Sequence, residues 1–166
     1  MEDQPTSDNK QPRSTSFKDG FKGRKKKGYD AERELVALLR AKGWKAIRIP
    51  VSAPSGEPLP DVMATRDDTI LAFEVKVSRK GYARFPRNQM RKLHLFLEMF
   101  QPFGDRIAIV AAKFPYKGWV IQRADEERSY TLHLGDPSMS LDSNKNTLNR
   151  TSKNKKKMYK DMSERD

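Results

Sequence analysis

The sequence contains no cysteine, only two histidines, and no apolar run that approaches the roughly 18 residues of a membrane span. Without cysteine, disulfide frameworks, thiolate nucleophiles, zinc ribbons and iron–sulfur clusters are excluded, so any metal site must be built from oxygen ligands. His94 and His133 lack the spacing of a histidine-rich metal site. No glycine-rich phosphate-binding loop is present either, so the sequence gives no indication of ATP-driven chemistry.

Basic residues outnumber acidic ones, with 34 Lys and Arg against 22 Asp and Glu and a net charge of +12. The excess divides into +4 over residues 1–27, +5 over residues 28–135 and +3 over residues 136–166. Such a balance indicates a polyanionic partner, namely nucleic acid, rather than a membrane or a small-molecule substrate. The first residues carry acidic side chains and no apolar core of a secretory signal, so we expect a cytoplasmic protein.

Apolar residues concentrate in the middle of the chain. This distribution predicts one folded domain over residues 27–135, between a disordered basic tail (1–26) and a disordered Lys/Ser/Asn-rich tail (136–166). The domain is expected to be α/β, with a central mixed β-sheet flanked by helices. Helical spacing and strand alternation predict the order α-β-β-β-α-β-β, over residues 28–42, 46–52, 62–65, 69–78, 87–100, 107–114 and 119–122.

Polar side chains interrupt the hairpin predicted over residues 62–78. Glu74 and Lys76 share one face of its second strand, about 7 Å apart, and Asp61 lies just before the first strand. Two carboxylates suit Mg²⁺, which takes hard oxygen ligands, and a neighbouring lysine can stabilise or help deprotonate an attacking water. Such a group fits phosphodiester hydrolysis. The alternatives are an exposed ion pair for Glu74 and Lys76, and a loop residue after proline for Asp61.

A third acid, Glu32, lies on the apolar stripe of the first predicted helix. Leu35, Val36 and Leu39 follow it at positions i+3, i+4 and i+7. Because the helix N-terminus favours anions, an inward-facing acid there is a candidate ligand for a metal or a water. The alternative is a partly exposed position at the flank of the helix.

The order Pro60-Asp61, then Glu74-x-Lys76, resembles the PD-(D/E)xK signature of the restriction-endonuclease-like nucleases. The surrounding text, RKKKGYDAERELVALLRAKGWKAIRIPVSAPSGEPLPDVMAT, resembles the archaeal Holliday junction resolvases over residues 24–89, and more loosely to residue 122. The resemblance implies a restriction-endonuclease-like fold and Mg²⁺ as cofactor, with Mn²⁺ as a substitute. It also implies a homodimer that acts on four-way branched DNA.

The resemblance also implies roles for individual residues. The three acids would bind the metal, a lysine would assist the water, and a serine would approach the scissile phosphate. This predicted catalytic set is Glu32, Asp61, Glu74, Lys76 and Ser52. The predicted DNA contacts are Arg24, Lys25, Lys26, Lys27, Arg48, Ser52, Arg79, Lys80, Arg84, Arg87 and Gln89. The segment 78–85, basic with interleaved aromatics, fits a surface that holds phosphates and stacks on bases or sugars.

The function expected from these features is a metal-dependent, structure-selective endonuclease that resolves four-way junctions by paired nicks in strands of like polarity. Two alternatives stay open. One is a related nuclease that acts on other branched or damaged DNA. The other is a DNA-binding module in which the site is vestigial and the basic tails bind.

Overall fold

The computed structural model describes residues 17–50 and 57–142, and in this part of the chain it contains two helices and seven strands. No helix in these ranges has the length and apolar character needed to cross a membrane. The elements are α1 (Phe17–Ala41), β1 (Lys45–Arg48), β2 (Val62–Arg66), β3 (Thr69–Val77), β4 (Tyr82–Phe85), α2 (Arg87–Glu98), β5 (Asp105–Phe114), β6 (Gly118–Arg123) and β7 (Tyr130–His133).

Strand β3 is the centre of a five-stranded sheet with the order β1-β2-β3-β5-β6. It pairs in parallel with β5, whereas the other neighbours in this sheet are antiparallel. The predicted turn between β2 and β3 is present, with Asp67 in the left-handed region at φ 50°, which aspartate tolerates better than most residues. The expectation of a mixed central sheet flanked by helices is therefore confirmed.

Both faces of β3 are covered by apolar side chains over most of its length. Leu71 and Phe73 pack in one cluster with Leu35 of α1, and Ile70 and Ala72 pack in the other with residues of α2 and β4. The strand is buried from residue 70 to residue 73 and only partly buried from residue 74 onward. The apolar cover therefore ends where the predicted catalytic side chains begin.

Strands β4 and β7 form a second, two-stranded antiparallel sheet that the sequence analysis did not predict. Phe85 of β4 is fully buried in the cluster beneath α2, so the prediction that this aromatic residue stacks on DNA is wrong. Tyr82 is half-buried, with its ring centroid 6.2 Å from that of His133 on β7. The segment 78–85 is therefore partly core rather than a continuous binding surface.

Two boundaries differ from the expected ones. Helix α1 begins at Phe17 rather than at residue 28. At the other end, the chain continues to pack beyond residue 135, since Trp44 Nε1 donates to the Leu141 carbonyl at 2.9 Å and Ile121 N donates to Ser138 Oγ at 3.0 Å. Residues 1–16 and 143–166 lie outside the described part, so the division into domain and tails stays a prediction.

Gly104, between α2 and β5, provides a test of the packing that holds the hairpin turn. Its amide donates to Asp68 Oδ1 at 2.8 Å, and a β-carbon on this residue would lie 2.2 Å from Asp68 Oδ2. We expect Gly104→Ala to displace that carboxylate and lower the free energy of unfolding by about 1 kcal/mol.

Urea unfolding measures this loss of unfolding free energy, and Gly28→Ala is the control. Gly28 lies within α1, and its added β-carbon would meet nothing closer than 3.9 Å, so this change should raise the stability by about 1 kcal/mol. Equal or greater stability of the Gly104→Ala protein would contradict the packing argument.

Candidate active site

Asp61, Glu74 and Lys76 meet where the apolar cover of β3 ends. Glu74 and Lys76 share one face of the strand, two residues apart. Asp61 lies just before β2, where its amide donates to the Phe73 carbonyl at 2.9 Å and its Oδ2 accepts from Val75 N at 2.7 Å. These two backbone contacts hold the Asp61 carboxylate beside the strand that carries the other two side chains, as the sequence analysis expected.

Gln89, in the first turn of α2, contacts both Lys76 and Glu74. Its Oε1 accepts from Lys76 Nζ at 2.6 Å, and its Nε2 donates to Glu74 Oε1 at 2.5 Å. Lys76 Nζ also donates to the Arg84 carbonyl at 2.8 Å and lies 5.2 Å from the centroid of the Phe85 ring. Gln89, predicted from the resemblance as a DNA contact, therefore contacts the side chains of the site itself.

Glu32 faces inward from α1, as its position on the apolar stripe predicted, and is 9 % exposed. Its Oε2 accepts from Arg48 Nε at 2.5 Å, and the Arg48 guanidinium carbon lies 4.4 Å from the centroid of the Tyr29 ring. Arg48, which was expected to contact phosphate, is thus held by a carboxylate and an aromatic face. Tyr29 was missed, although its spacing of three residues before Glu32 places both on one side of the helix.

The acids of this site resist ionisation. Burial, reinforced by the nearby Glu32 carboxylate, raises the pKa of Asp61 to about 6. Burial, reinforced by Asp61 and Glu32, raises the pKa of Glu74 to about 8. Burial also lowers the pKa of Lys76, against the opposing effect of the two acids. Full ionisation of all three acids would therefore exceed the positive charge that Lys76 and Arg48 supply.

The donor set fits a hard divalent cation, since Asp61 and Glu74 present carboxylate oxygens and lack neutralising partners for their full charge. In residues 17–50 and 57–142, however, no three acidic or histidine side chains form a group arranged to hold a metal ion. Glu32 is instead engaged by Arg48. The expected cluster of three metal-binding acids is therefore not assembled as one group.

The remaining predicted DNA contacts are spread around this site. Ser52 lies outside the described residues, as do the side chains of Arg24, Lys25 and Lys26. The other basic side chains are exposed, and they are Lys27, Arg79, Lys80, Arg84 and Arg87. Of these, Arg84 has its guanidinium carbon 5.4 Å from the centroid of the Tyr82 ring. Their contacts with DNA stay predictions.

Comparison with known proteins gives the chain a family. Residues 23–142 match the model of the archaeal Holliday junction resolvase (Hjc) family. The crossover junction endodeoxyribonuclease Hje of Saccharolobus islandicus is 47% identical over 87 residues, which are 52% of this chain and 63% of that protein. The Hje of Saccharolobus solfataricus is 44% identical over the same shares of the two chains. The chain thus covers less than two thirds of the length of these two relatives.

Archaeoglobus fulgidus contributes both a sequence relative and a solved structure. Its crossover junction endodeoxyribonuclease Hjc is 36% identical over 95 residues, which are 57% of this chain and 67% of that protein. The solved structure of its Hjc, described as a Holliday junction resolvase, is 27% identical to this chain. The match covers 65% of this chain and 89% of that one, with a TM-score of 0.54. The resemblance and the restriction-endonuclease-like fold expected from sequence are both confirmed. The chain belongs to the archaeal Holliday junction resolvase family.

Proposed function

We propose that this protein is a metal-dependent endonuclease that resolves four-way DNA junctions by paired, symmetric nicks. The observation that carries the proposal is the contact network among Asp61, Glu74, Lys76 and Gln89 at the end of the central strand. Two carboxylates and a lysine of lowered pKa suit hydrolysis of a phosphodiester. Gln89 contacts both Glu74 and Lys76 and holds them in place. The location we propose is the cytoplasm.

Asp61 and Glu74 are the residues that would hold Mg²⁺, or Mn²⁺ in its place. A bound divalent ion supplies polarisation of a phosphoryl oxygen and lowers the pKa of a coordinated water. Lys76 directs its ammonium group toward the developing negative charge, because Gln89 and the Arg84 carbonyl hold it in place. Glu32 adds a third carboxylate at the edge of the site, and its pairing with Arg48 keeps that charge balanced.

Hydrolysis by this site breaks one P–O bond of the DNA backbone and adds water across it. Asp61 and Glu74 would orient the attacking water, and Lys76, held by Gln89, would stabilise the negative charge that develops on the phosphate. Arg48 and Ser52 are proposed to contact the neighbouring phosphate. The exposed cations Arg79 and Lys80 extend the positive surface away from β3. They would position the DNA backbone without reading the base sequence.

We also propose a homodimer, because two symmetric nicks in a four-way junction require two sites related by a two-fold axis. Leu95 on α2 and Met99, which caps the C-terminus of that helix, lie one helical turn apart and are exposed to solvent at 40% and 60%. Such an apolar pair suits contact with a second copy of the chain. The alternative is an enzyme with a single site that acts on another branched DNA. Comparing cleavage of a mobile four-way junction, a flap and a plain duplex separates the two.

The direct test of the proposed function removes one carboxylate. Glu74→Ala and Asp61→Ala should each reduce Mg²⁺-dependent nicking of a synthetic four-way junction by roughly 1000-fold, because several kcal/mol of transition-state stabilisation are lost. Binding of the same junction, measured in EDTA by fluorescence anisotropy, should stay within a few-fold of wild type. Labels on each strand end should report paired nicks at symmetric positions for the wild-type protein.

The matched control for this test is Glu127→Ala, which removes an exposed acid from the loop before β7. It should nick like the wild type. Unchanged nicking by the Glu74→Ala protein would support the non-catalytic alternative. Loss of binding with retained cleavage would also contradict the assignment of these acids.

The raised pKa of Glu74 predicts a pH-dependent stability. Between about pH 4.5 and about pH 8 the folded protein keeps a proton on Glu74 that the unfolded chain releases, so stability falls as the pH rises through this window. Glu74→Gln removes this titration. In EDTA, we expect the variant to gain about 4 kcal/mol over wild type between pH 5 and pH 8, measured by urea unfolding.

Added Mg²⁺ supplies the control for this titration. It should stabilise the wild type at pH 8 and have little effect on the Glu74→Gln protein, since one of the two ligands is then neutral. A difference between the two proteins that is the same at pH 5 and at pH 8 would show that Glu74 is ionised normally.

Gln89 is proposed as a positioning residue rather than a DNA contact. Gln89→Ala leaves Lys76 and Glu74 without their shared partner, so kcat should fall about 10- to 100-fold while KM for the junction changes little. The control is Gln101→Ala, an exposed glutamine whose side-chain amide donates to the Glu98 carbonyl, which should leave both constants unchanged. A rise in KM with unchanged kcat would instead assign Gln89 to DNA binding.

A further inference from the structure

The turn between β5 and β6 carries a tyrosine in an unfavourable position. Lys117 N donates to the Phe114 carbonyl at 3.0 Å, Pro115 occupies the second position, and Tyr116 occupies the third with φ 64°. These are the features of a type II turn, whose third position favours glycine because an L side chain is strained there. Tyr116 is also fully exposed at 103%, so its ring gains no burial in return.

A cavity of about 300 Å³ lies beside this turn, and we refer to it as the stacking pocket. Phe114, Pro115 and Tyr116 contribute apolar and aromatic surface to it, and Arg79 and Lys117 contribute positive charge. None of the residues that line it is acidic. Its size is at the lower end of the range of about 300–1000 Å³ for ligand pockets, which suits a single planar group the size of a nucleobase.

The stacking pocket adjoins the candidate active site. Ser78 lines the pocket and follows Lys76 by two residues, which corresponds to about 7 Å along an extended strand. The Ser78 amide donates to the Lys113 carbonyl at 3.0 Å, which fixes the end of β3 next to β5 and its turn. Because successive nucleotides of a duplex strand rise by about 3.4 Å, this separation equals about two nucleotides.

We propose that the stacking pocket receives one unstacked base of the DNA strand that is cut, about two nucleotides from the scissile phosphate. The ring of Tyr116 would stack on the base, while Arg79 and Lys117 would hold the flanking phosphates. A base at a branch point has already lost a stacking neighbour, so the free energy of extracting it is low. Strained backbone at an exposed aromatic residue is typical of sites kept for function rather than for stability.

This inference rests on the proposed function, and its test compares Tyr116→Gly, Tyr116→Phe and wild type. Junction affinity is measured in EDTA, where no cleavage occurs, and 2-aminopurine is placed in turn at each position near the branch. Tyr116→Gly should weaken binding about tenfold, in line with the loss of one base–aromatic stack. It should also abolish the fluorescence change that wild type produces at one position. Tyr116→Phe keeps the ring and should restore most of both signals.

Folding and surface effects are controlled separately. Tyr116→Gly relieves the positive φ, so its urea midpoint should be no lower than that of wild type. Ile47→Ala removes another exposed large side chain, away from the pocket lining, and should bind the junction like wild type.

Binding of the junction by the Tyr116→Gly protein within twofold of wild type would overturn the inference. A second contradicting result is a change in the mass of the Tyr116→Gly protein by light scattering, with an unchanged junction affinity per protomer. That result would assign the turn to contacts between copies of the chain. Failure of wild type to nick a junction would instead refute the proposed function. The affinity and 2-aminopurine comparisons on branched DNA would still decide whether the pocket holds a base.

Discussion

The burial of carboxylates that also repel one another is the constraint on which the rest of this structure depends. Asp61 is tied by its main chain and its side chain to β3, next to Glu74, and burial, reinforced by the Glu32 carboxylate, raises the pKa of both acids. Such an arrangement opposes folding unless protons or cations balance it. Lys76 supplies one cation, fixed by Gln89, and Arg48 supplies another for Glu32. With Glu74 protonated at neutral pH the charges balance, and a divalent cation would offset the negative charge that Glu74 gains when it loses its proton.

The distribution of charge over the chain separates a basic surface from the acidic site. The net charge of +12 includes +5 over residues 28–135, the range that contains the acidic site. Exposed cations such as Arg79 and Lys80 follow directly after β3 and attract phosphate without sequence preference. Attraction alone would bring DNA to carboxylates that repel it. Under the proposed function, the basic surface and a bound metal ion would both be needed for a phosphate to reach Asp61 and Glu74.

Local signals explain what could be predicted from sequence. Strand alternation and a turn at Asp67 located the β2–β3 hairpin, and helical spacing placed Glu32 on the inward face of α1. Contacts made by tertiary packing had no such signal. Strands β4 and β7 are four residues each and pair across the whole of α2, β5 and β6, so the burial of Phe85 was missed. The partners of Gln89 likewise depend on how α2 docks on β3, which no spacing within the helix reveals.

Counting the protons released when Mg²⁺ binds tests the central claim most directly. Isothermal titration calorimetry at pH 7, in buffers of different ionisation enthalpy, gives that number for the full chain. Because burial and neighbouring acids raise the pKa of Glu74 to about 8, its carboxyl group is protonated at pH 7 and must lose that proton to bind a metal. The account predicts release of about one proton per protein chain at pH 7, decreasing above pH 9. Mg²⁺ binding at pH 7 without proton release would contradict it.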